Sequence, residues 1–348
     1  MATTFAVPDG RVAMAATLYT GNGSTQSISN AVNTVSFQPD FVWVKGRTEA
    51  YYHRLTSSLQ SPPNFMSSNA TDAENTTNGT ISAITSTGFN VNINGGTGGT
   101  NSTGITYVGW QWKAGGTAVN NTAGTITSSV SANTTAGFSV VTYTGTGANA
   151  TVGHGLGVTP GMVIIKSRTS AVYNWVVYHS GLTSATYYVS LNQNIAQTSY
   201  PTVFNSTAPT NAVFNIGTDA STNQSAGTYV AYCWAPVAGY SAFGSYTGNG
   251  SADGPFIYTG FRPRWFMVKR TDLTSNWLVY DTSRIGYNQA NNYLLPDLAN
   301  AEGSGDNYLD ILSNGLKIRV GNQSTNTSGG TYIYAAFAEN PLKYSNAR

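Results

Sequence analysis

Three stretches of the chain open on one five-residue pattern: Tyr19-Thr20-Gly21-Asn22-Gly23, Tyr143-Thr144-Gly145-Thr146-Gly147 and Tyr246-Thr247-Gly248-Asn249-Gly250. Each ends on a Thr-Tyr pair at nearly constant distance. Tyr107 lies 88 residues after Tyr19, and Tyr229 and Tyr332 lie 86 residues after Tyr143 and Tyr246. Between these ends a proline precedes an apolar run that stops at a lysine six residues later. The three runs are Pro39 to Lys45, Pro160 to Lys166 and Pro263 to Lys269. Four apolar residues in a row read as a strand buried on both faces, because a half-buried strand alternates. Asn174-Trp175-Val176-Val177-Tyr178 and Asn276-Trp277-Leu278-Val279-Tyr280 recur in copies two and three, whereas copy one has Ala50-Tyr51-Tyr52-His53.

Composition agrees with strands rather than helices. The 348 residues include 38 Gly and 12 Pro among runs of Thr, Ser and Asn, and the usual helix formers are scarce. Over Tyr308 to Val320, Asn314-Gly315 predicts a two-residue type I′ turn, with Leu316, Ile318 and Val320 on one face and Lys317 and Arg319 on the other. Phe89, Val91 and Ile93 alternate in the same way in copy one, and Phe214 and Ile216 do so in copy two. The expected fold is all-β, with three tandem antiparallel β-sandwich repeats of a jelly-roll or lectin-like kind. The expected boundaries are an N-terminal arm at 1–14, repeats at 15–115, 137–238 and 240–343, and a linker at 116–136. That linker is either flexible or an ordered, extended connection, since Thr125, Ile126, Thr127 and Val130 have β character.

Several classes of function are disfavoured. Residues 1–14 lack the pattern of a secretory signal, and no run reaches the roughly 18–20 apolar residues of a membrane helix. Membrane insertion is not expected. Only 9% of residues are charged and the net charge is +2, so no basic stripe is available for nucleic acid. Cys233 is the single cysteine and reads as a small core residue. No carboxylate lies between Asn75 and Thr218, so copy two lacks an acid pair up to Asp219.

The remaining candidates carry bland readings. His53, His154 and His179 have no metal spacing, and Asp281 holds in copy three the place of His179 in copy two. Gly153-His154-Gly155-Leu156-Gly157 runs toward a strand and reads as a turn rather than a phosphate loop. Asp297, Glu302, Asp306 and Asp310 form the one acidic cluster, read as a solvated loop; calcium binding or a hidden acid pair is its sharper alternative. Lys45, Lys166 and Lys269, with Arg47, Arg168 and Arg270 nearby, read as solvated strand ends or as a cationic rim for anionic glycans. Trp175 and Trp277, with Tyr178 and Tyr280, read as core or as a sugar-stacking platform. No catalytic, cofactor-binding or metal-binding residue is assigned.

The Tyr-Thr-Gly-Asn-Gly pattern, the element from Gly155 to Lys166, Asn174 to His179 and the stretch Ala238 to Gly250 together resemble a repeat in tail-fibre-like and other virion proteins of marine tailed bacteriophages, cyanophages among them. The likeness spans nearly the whole chain, and the first copy departs from it most. It implies a non-enzymatic virion protein on the particle surface, most simply a tail fibre or appendage component in contact with other virion proteins. The alternatives are a head decoration protein, a lectin-like carbohydrate-binding module and a surface polysaccharide depolymerase. A homotrimer is the expected assembly and a bacterial surface glycan the expected ligand class. Residues 1–14 would dock on the particle or on a neighbouring subunit.

Overall fold

The computed structural model describes residues 5–76, 80–92, 99–285, 288–305 and 308–339. It is nearly all β, in antiparallel sheets, with one short α-helix at Ala220–Asn223 and one 3-10 turn at Gly10–Val12 among the described residues. No helix there is long and apolar enough to cross a membrane.

One strand order recurs. In the first sheet Met14–Thr20 pairs with Thr106–Trp112, which pairs with Phe41–Gly46 and then Arg54–Ser57. The third copy repeats this with Ser241–Thr247, Thr331–Ala338, Pro263–Arg270 and Leu278–Asp281. The middle of an eight-stranded sheet repeats it again with Phe138–Thr144, Thr228–Trp234, Met162–Ser167 and Val176–His179. The opening and closing tyrosines of the sequence pattern are therefore cross-strand partners. Their rings stack at 5.0 Å (Tyr19 and Tyr107), 5.1 Å (Tyr143 and Tyr229) and 4.8 Å (Tyr246 and Tyr332), which ties the two ends of each copy together.

The glycines of the pattern follow from what lies beside them. A side chain at Gly21, Gly145 or Gly248 would run into the backbone carbonyl of Ser102, Gln224 or Thr327. The second glycines, Gly23, Gly147 and Gly250, take φ of 74°, 77° and 71°, where a Cβ is strained.

The Pro-to-Lys strands are buried along their whole length; in copies one and two their two faces belong to different cores, and in copy three both faces join one core. Val42 and Val44 pack inside copy one with Ile28, Phe89 and Val91, and Val163 and Ile165 pack inside copy two with Phe214 and Ile216. Phe41, Trp43, Met162 and Ile164 point the other way, into a core that all three copies share. Its hub is aromatic. Trp112 lies 5.5 Å from Phe41, 6.0 Å from Trp234, 5.4 Å from Trp265 and 5.7 Å from Phe337. Phe138 stacks on Trp234 at 5.0 Å. Each such pair adds about 0.5–1.5 kcal/mol beyond its buried area.

Three expectations change here. The stretch 116–136 is built into copy two: Val119–Asn121 and Ser128–Asn133 extend its sheet beside Phe138–Thr144, and Ile126 and Val130 enter its core. The described part of the 1–14 arm packs on its own chain, with Val7 and Met14 in the shared core and Gly10 against the Ala338 backbone. The turn expected at Asn314-Gly315 falls one residue earlier. Leu312 pairs with Gly315, so Ser313 and Asn314 form the loop, and neither takes a positive φ. That register keeps Leu309, Ile311, Leu316 and Ile318 inward, and burial of one face decides register. Ile93 lies outside the described residues.

Candidate functional site

The copies are fastened head to tail by one contact made three times. Glu74 N–H donates to the Arg168 carbonyl (2.9 Å), Gln197 N–H to Thr271 (2.9 Å) and Glu302 N–H to Arg47 (2.7 Å). Copy one thus grips copy two, copy two grips copy three, and copy three returns to copy one. Side chains strengthen two of these joints: Arg168 forks onto Glu74 at 2.8 and 2.8 Å, and Arg47 onto Glu302 at 2.9 and 2.9 Å. Glu302 also accepts from Arg284 (3.1 Å), whose buried guanidinium pairs with Asp281 at 2.6 Å.

The aromatic landmark serves the same joints. Trp175 Nε1 donates to Ser67 O (2.9 Å) of copy one, and Trp277 Nε1 donates to Ser190 O (2.9 Å) of copy two. Both indoles are buried, so they are core rather than exposed stacking surfaces. In copy one His53 occupies this place, and its Nε2 reaches Leu295 O (2.9 Å) of copy three. Because His53 Nδ1 accepts from Trp43 Nε1 (2.8 Å), the proton sits on Nε2, which donates.

His179 and His154 are held likewise. His179 Nδ1 accepts from Gly181 N–H (3.0 Å) and Nε2 meets Tyr334 O (3.0 Å). His154 Nδ1 accepts from Leu156 N–H (3.2 Å) and Nε2 meets Thr210 O (3.2 Å). Burial lowers all three imidazoles, His179 to about 4. Neutral rings with both nitrogens engaged act here as struts.

Lys45, Lys166 and Lys269 are not solvated ends or a rim. Each is fully buried, and its Nζ donates to the next residue's carbonyl at 2.8, 2.9 and 2.6 Å. A second carbonyl, of Glu49, Ser170 or Asn194, lies within 3.5 Å. Burial lowers the amines to about 7, 8 and 8. The long stems cross the sheet interior so that the amines cap the turns that follow the strands.

The acidic cluster is not a solvated loop. Glu302 belongs to the joint just described, Asp310 accepts from Arg319 at 2.5 Å, and Asp306 lies outside the described residues. Among the described residues no group of three His, Cys, Asp or Glu could hold a metal. Asp297 Oδ1 accepts from Trp277 N–H (3.1 Å), as Asn69 does from His53 N–H (3.0 Å) and Asn192 from Trp175 N–H (2.9 Å). Asp297 therefore stands where the other copies use asparagine. Burial raises its carboxyl to about 7, and its Oδ2 has no partner.

The consequence is a pH-dependent cost. The folded carboxyl binds its proton more tightly than an ordinary carboxyl of 3.8. Below about pH 4 no cost exists, and it grows to its full size near pH 7, at about 1.4 kcal/mol per pKa unit. Asp297→Asn is expected to stabilise the protein by a few kcal/mol above pH 7 and hardly at all near pH 4. Urea denaturation of both chains at pH 4 and pH 8 measures this.

One cavity among the described residues lies beside the joint of copies one and two, since Ser67 and the neighbours of Glu74 line it. It holds about 170 Å³ and is lined by Tyr52, Arg54, Phe65, Met66, Ser67, Asp72, Ala73 and Asn75. Two of its walls, Tyr52 and Arg54, are places where copy one departs from its siblings. By register Arg54 replaces Val176 and Leu278, and Tyr52 replaces Asn174 and Asn276. The Arg54 guanidinium lies over the Phe65 ring at 4.6 Å, and Nη1 donates to Ser67 Oγ (2.6 Å) and His53 O (3.3 Å). Only 6% of Arg54 is exposed. Burial lowers it to about 10, so it stays charged at neutral pH.

A family model described as "Domain of unknown function (DUF7483)" matches residues 12–341. The chain belongs to this family. Among curated proteins none matches it. The DUF7483 match takes in every strand of the three copies, the joints between them and the walls of the cavity. The family's unit is thus the joined set of copies.

Sequence reading missed three residues of this DUF7483 framework. Asn101, Asn223 and Asn326 are fully buried, and their Oδ1 atoms accept from the N–H of the variable residue of each opening pattern: Asn22 at 3.0 Å, Thr146 at 2.7 Å and Asn249 at 2.8 Å. The signal was a constant six-residue spacing to the closing tyrosine, masked by the abundance of asparagine. Arg54 was missed too, because a lone arginine after a histidine carries no pattern.

Proposed function

We propose that this protein is a non-enzymatic structural component of a bacteriophage virion, a tail fibre or appendage part that meets the host surface. The observation that carries this reading is the use made of the reactive side chains. The three histidines, Glu302, Glu74 and Asp281 are engaged in hydrogen bonds and ion pairs, most of them between copies. Such an arrangement suits a rigid exposed body. The likeness of the repeat to virion proteins of marine tailed phages supports the same reading.

In this proposal the chain comprises three sandwich-like repeats in tandem, at about the boundaries inferred from sequence, with 116–136 joined to the second. A homotrimer on the particle surface, in contact with other virion proteins, completes it. Mass spectrometry of purified particles is expected to find the chain at a copy number divisible by three. Particles that lack it would overturn the proposal. A second reading, a carbohydrate-binding module, is favoured by the Tyr52 and Arg54 cavity. Of the acid pair a depolymerase would use, Asp310 is paired with Arg319, and Asp306 lies outside the described residues.

A further inference from the structure

We propose that the cavity walled by Tyr52, Arg54, Phe65 and Asp72 binds one carboxylate-bearing sugar ring, a uronate residue of a bacterial surface polysaccharide. The source of that ligand rests on the host-attachment reading; the chemistry of the site does not.

Size comes first. A cavity of about 150 Å³ accommodates benzene, so about 170 Å³ accepts the carboxylate and part of a sugar ring, the rest lying at the open mouth beside Tyr52. Charge comes second. Sibling copies fill the Arg54 position with valine or leucine and bury it well, so the framework does not require a cation there. A buried cation without a carboxylate partner is a cost to the fold. Nη1 alone is used by the protein: Nε is buried without an acceptor, and no hydrogen bond of Nη2 is found among the described residues.

Arg47 and Arg168 show what that edge takes. In both, Nε and Nη2 fork onto a glutamate at 2.8–2.9 Å. A carboxylate is the group whose two oxygens match this spacing. Stacking on Phe65 fixes the plane of the Arg54 fork.

The other walls select among carboxylates. Tyr52 is 46% exposed, with the Arg54 guanidinium 5.8 Å from its ring centroid, and an aromatic ring beside the cation suits the C–H face of a sugar. Asp72 makes no direct salt bridge with Arg54, although its negative charge favours the charged guanidinium across the cavity. It repels any carboxylate ligand, but a uronate also offers ring hydroxyls from which Asp72 accepts, which acetate lacks. The set therefore favours a ring that carries one acid and several hydroxyls.

Calorimetry and saturation-transfer NMR on the full chain, with galacturonate, galactose and acetate as probes, test this. Galacturonate is expected to bind, and galactose and acetate to bind about tenfold or more weakly, since a charged fork and the ring contacts each contribute. Tyr52→Ala, at an exposed position, is expected to keep the native melting curve and lose about tenfold in galacturonate affinity. Arg54→Gln is expected to abolish binding; should it fail to fold, Tyr52→Ala still decides. Equal binding of galactose or of acetate would overturn the proposal, as would galacturonate binding unchanged in Tyr52→Ala or absent from the native chain. Particle mass spectrometry separates the two readings. A chain present on particles that ignores galacturonate sinks the site alone, and a chain absent from particles that binds it sinks the virion role alone.

Discussion

Replacing Trp112 with alanine is expected to lower the unfolding free energy by about 3–5 kcal/mol, and to do so for the whole molecule in one transition. Trp112 ends the closing strand of copy one, yet its ring touches Trp234 of copy two and Trp265 and Phe337 of copy three. The cavity left behind would border all three copies, so none could keep its packing while another lost it. Denaturation followed by tryptophan fluorescence and by circular dichroism should give coincident curves shifted together. Trp112→Phe is the control. Phe337 already fills this position in copy three, and the Trp112 indole N–H has no hydrogen-bond partner to lose. Its cost should be much the smaller. Two separated transitions in Trp112→Ala would show that the copies are beads, each with its own core.

The second large effect is expected at the joint between copies three and one. Glu302→Gln removes the charge that Arg47 and Arg284 share, and Asn292 donates to the same carboxylate at 3.1 Å. Arg284 has no exposed side-chain surface, so part of its charge would lie unmatched in a poorly hydrated site. Loss of one partner from such a network costs about 3–5 kcal/mol, with the lower end expected because Glu302 keeps 12% exposure. Glu74→Gln breaks the sister joint, where a single arginine is involved and is 23% exposed. A smaller loss is expected there. Chemical denaturation of both variants at low and high salt measures the difference, and equal losses would mean that Arg284 takes no part.

Much of the β framework could be read from the chain. The tyrosines that open and close each copy proved to be stacked cross-strand partners, and the apolar runs from Pro39, Pro160 and Pro263 proved to be buried strands. These features are local or repeat at constant spacing, so the pattern of residue types carries them. The turn at Ser313 and Asn314 was misplaced by one residue because Asn-Gly chemistry was weighed above the burial of Leu316 and Ile318. The stretch 116–136 was harder, since its strands are short and polar, and only pairing to Phe138–Thr144 gives them order.

The roles of the polar residues were not legible in the same way. Lys45, Lys166 and Lys269 look like strand ends because a lysine after four apolar residues normally meets water. Here backbone carbonyls supplied by the following turn, and by copy two in the case of Lys269, replace that water. His53 and Trp277 share a task, but a histidine and a tryptophan align by no rule of composition. Their acceptors, Leu295 and Ser190, come from other copies.

The sequence by itself thus determined that this protein is built from strands, that a tyrosine pair recurs at nearly constant spacing in each copy, and which strand is buried on both sides. Those properties depend on neighbours a few residues away or on a spacing kept three times. Only the tertiary structure decided that the copies share one aromatic hub, that Glu302 and Arg47 join residues far apart in the chain, and that Arg54 Nε is buried without an acceptor near Tyr52. Such contacts form between surfaces brought together by folding. Hydrogen bonds and ion pairs act over about 3 Å in space, whatever the distance along the chain.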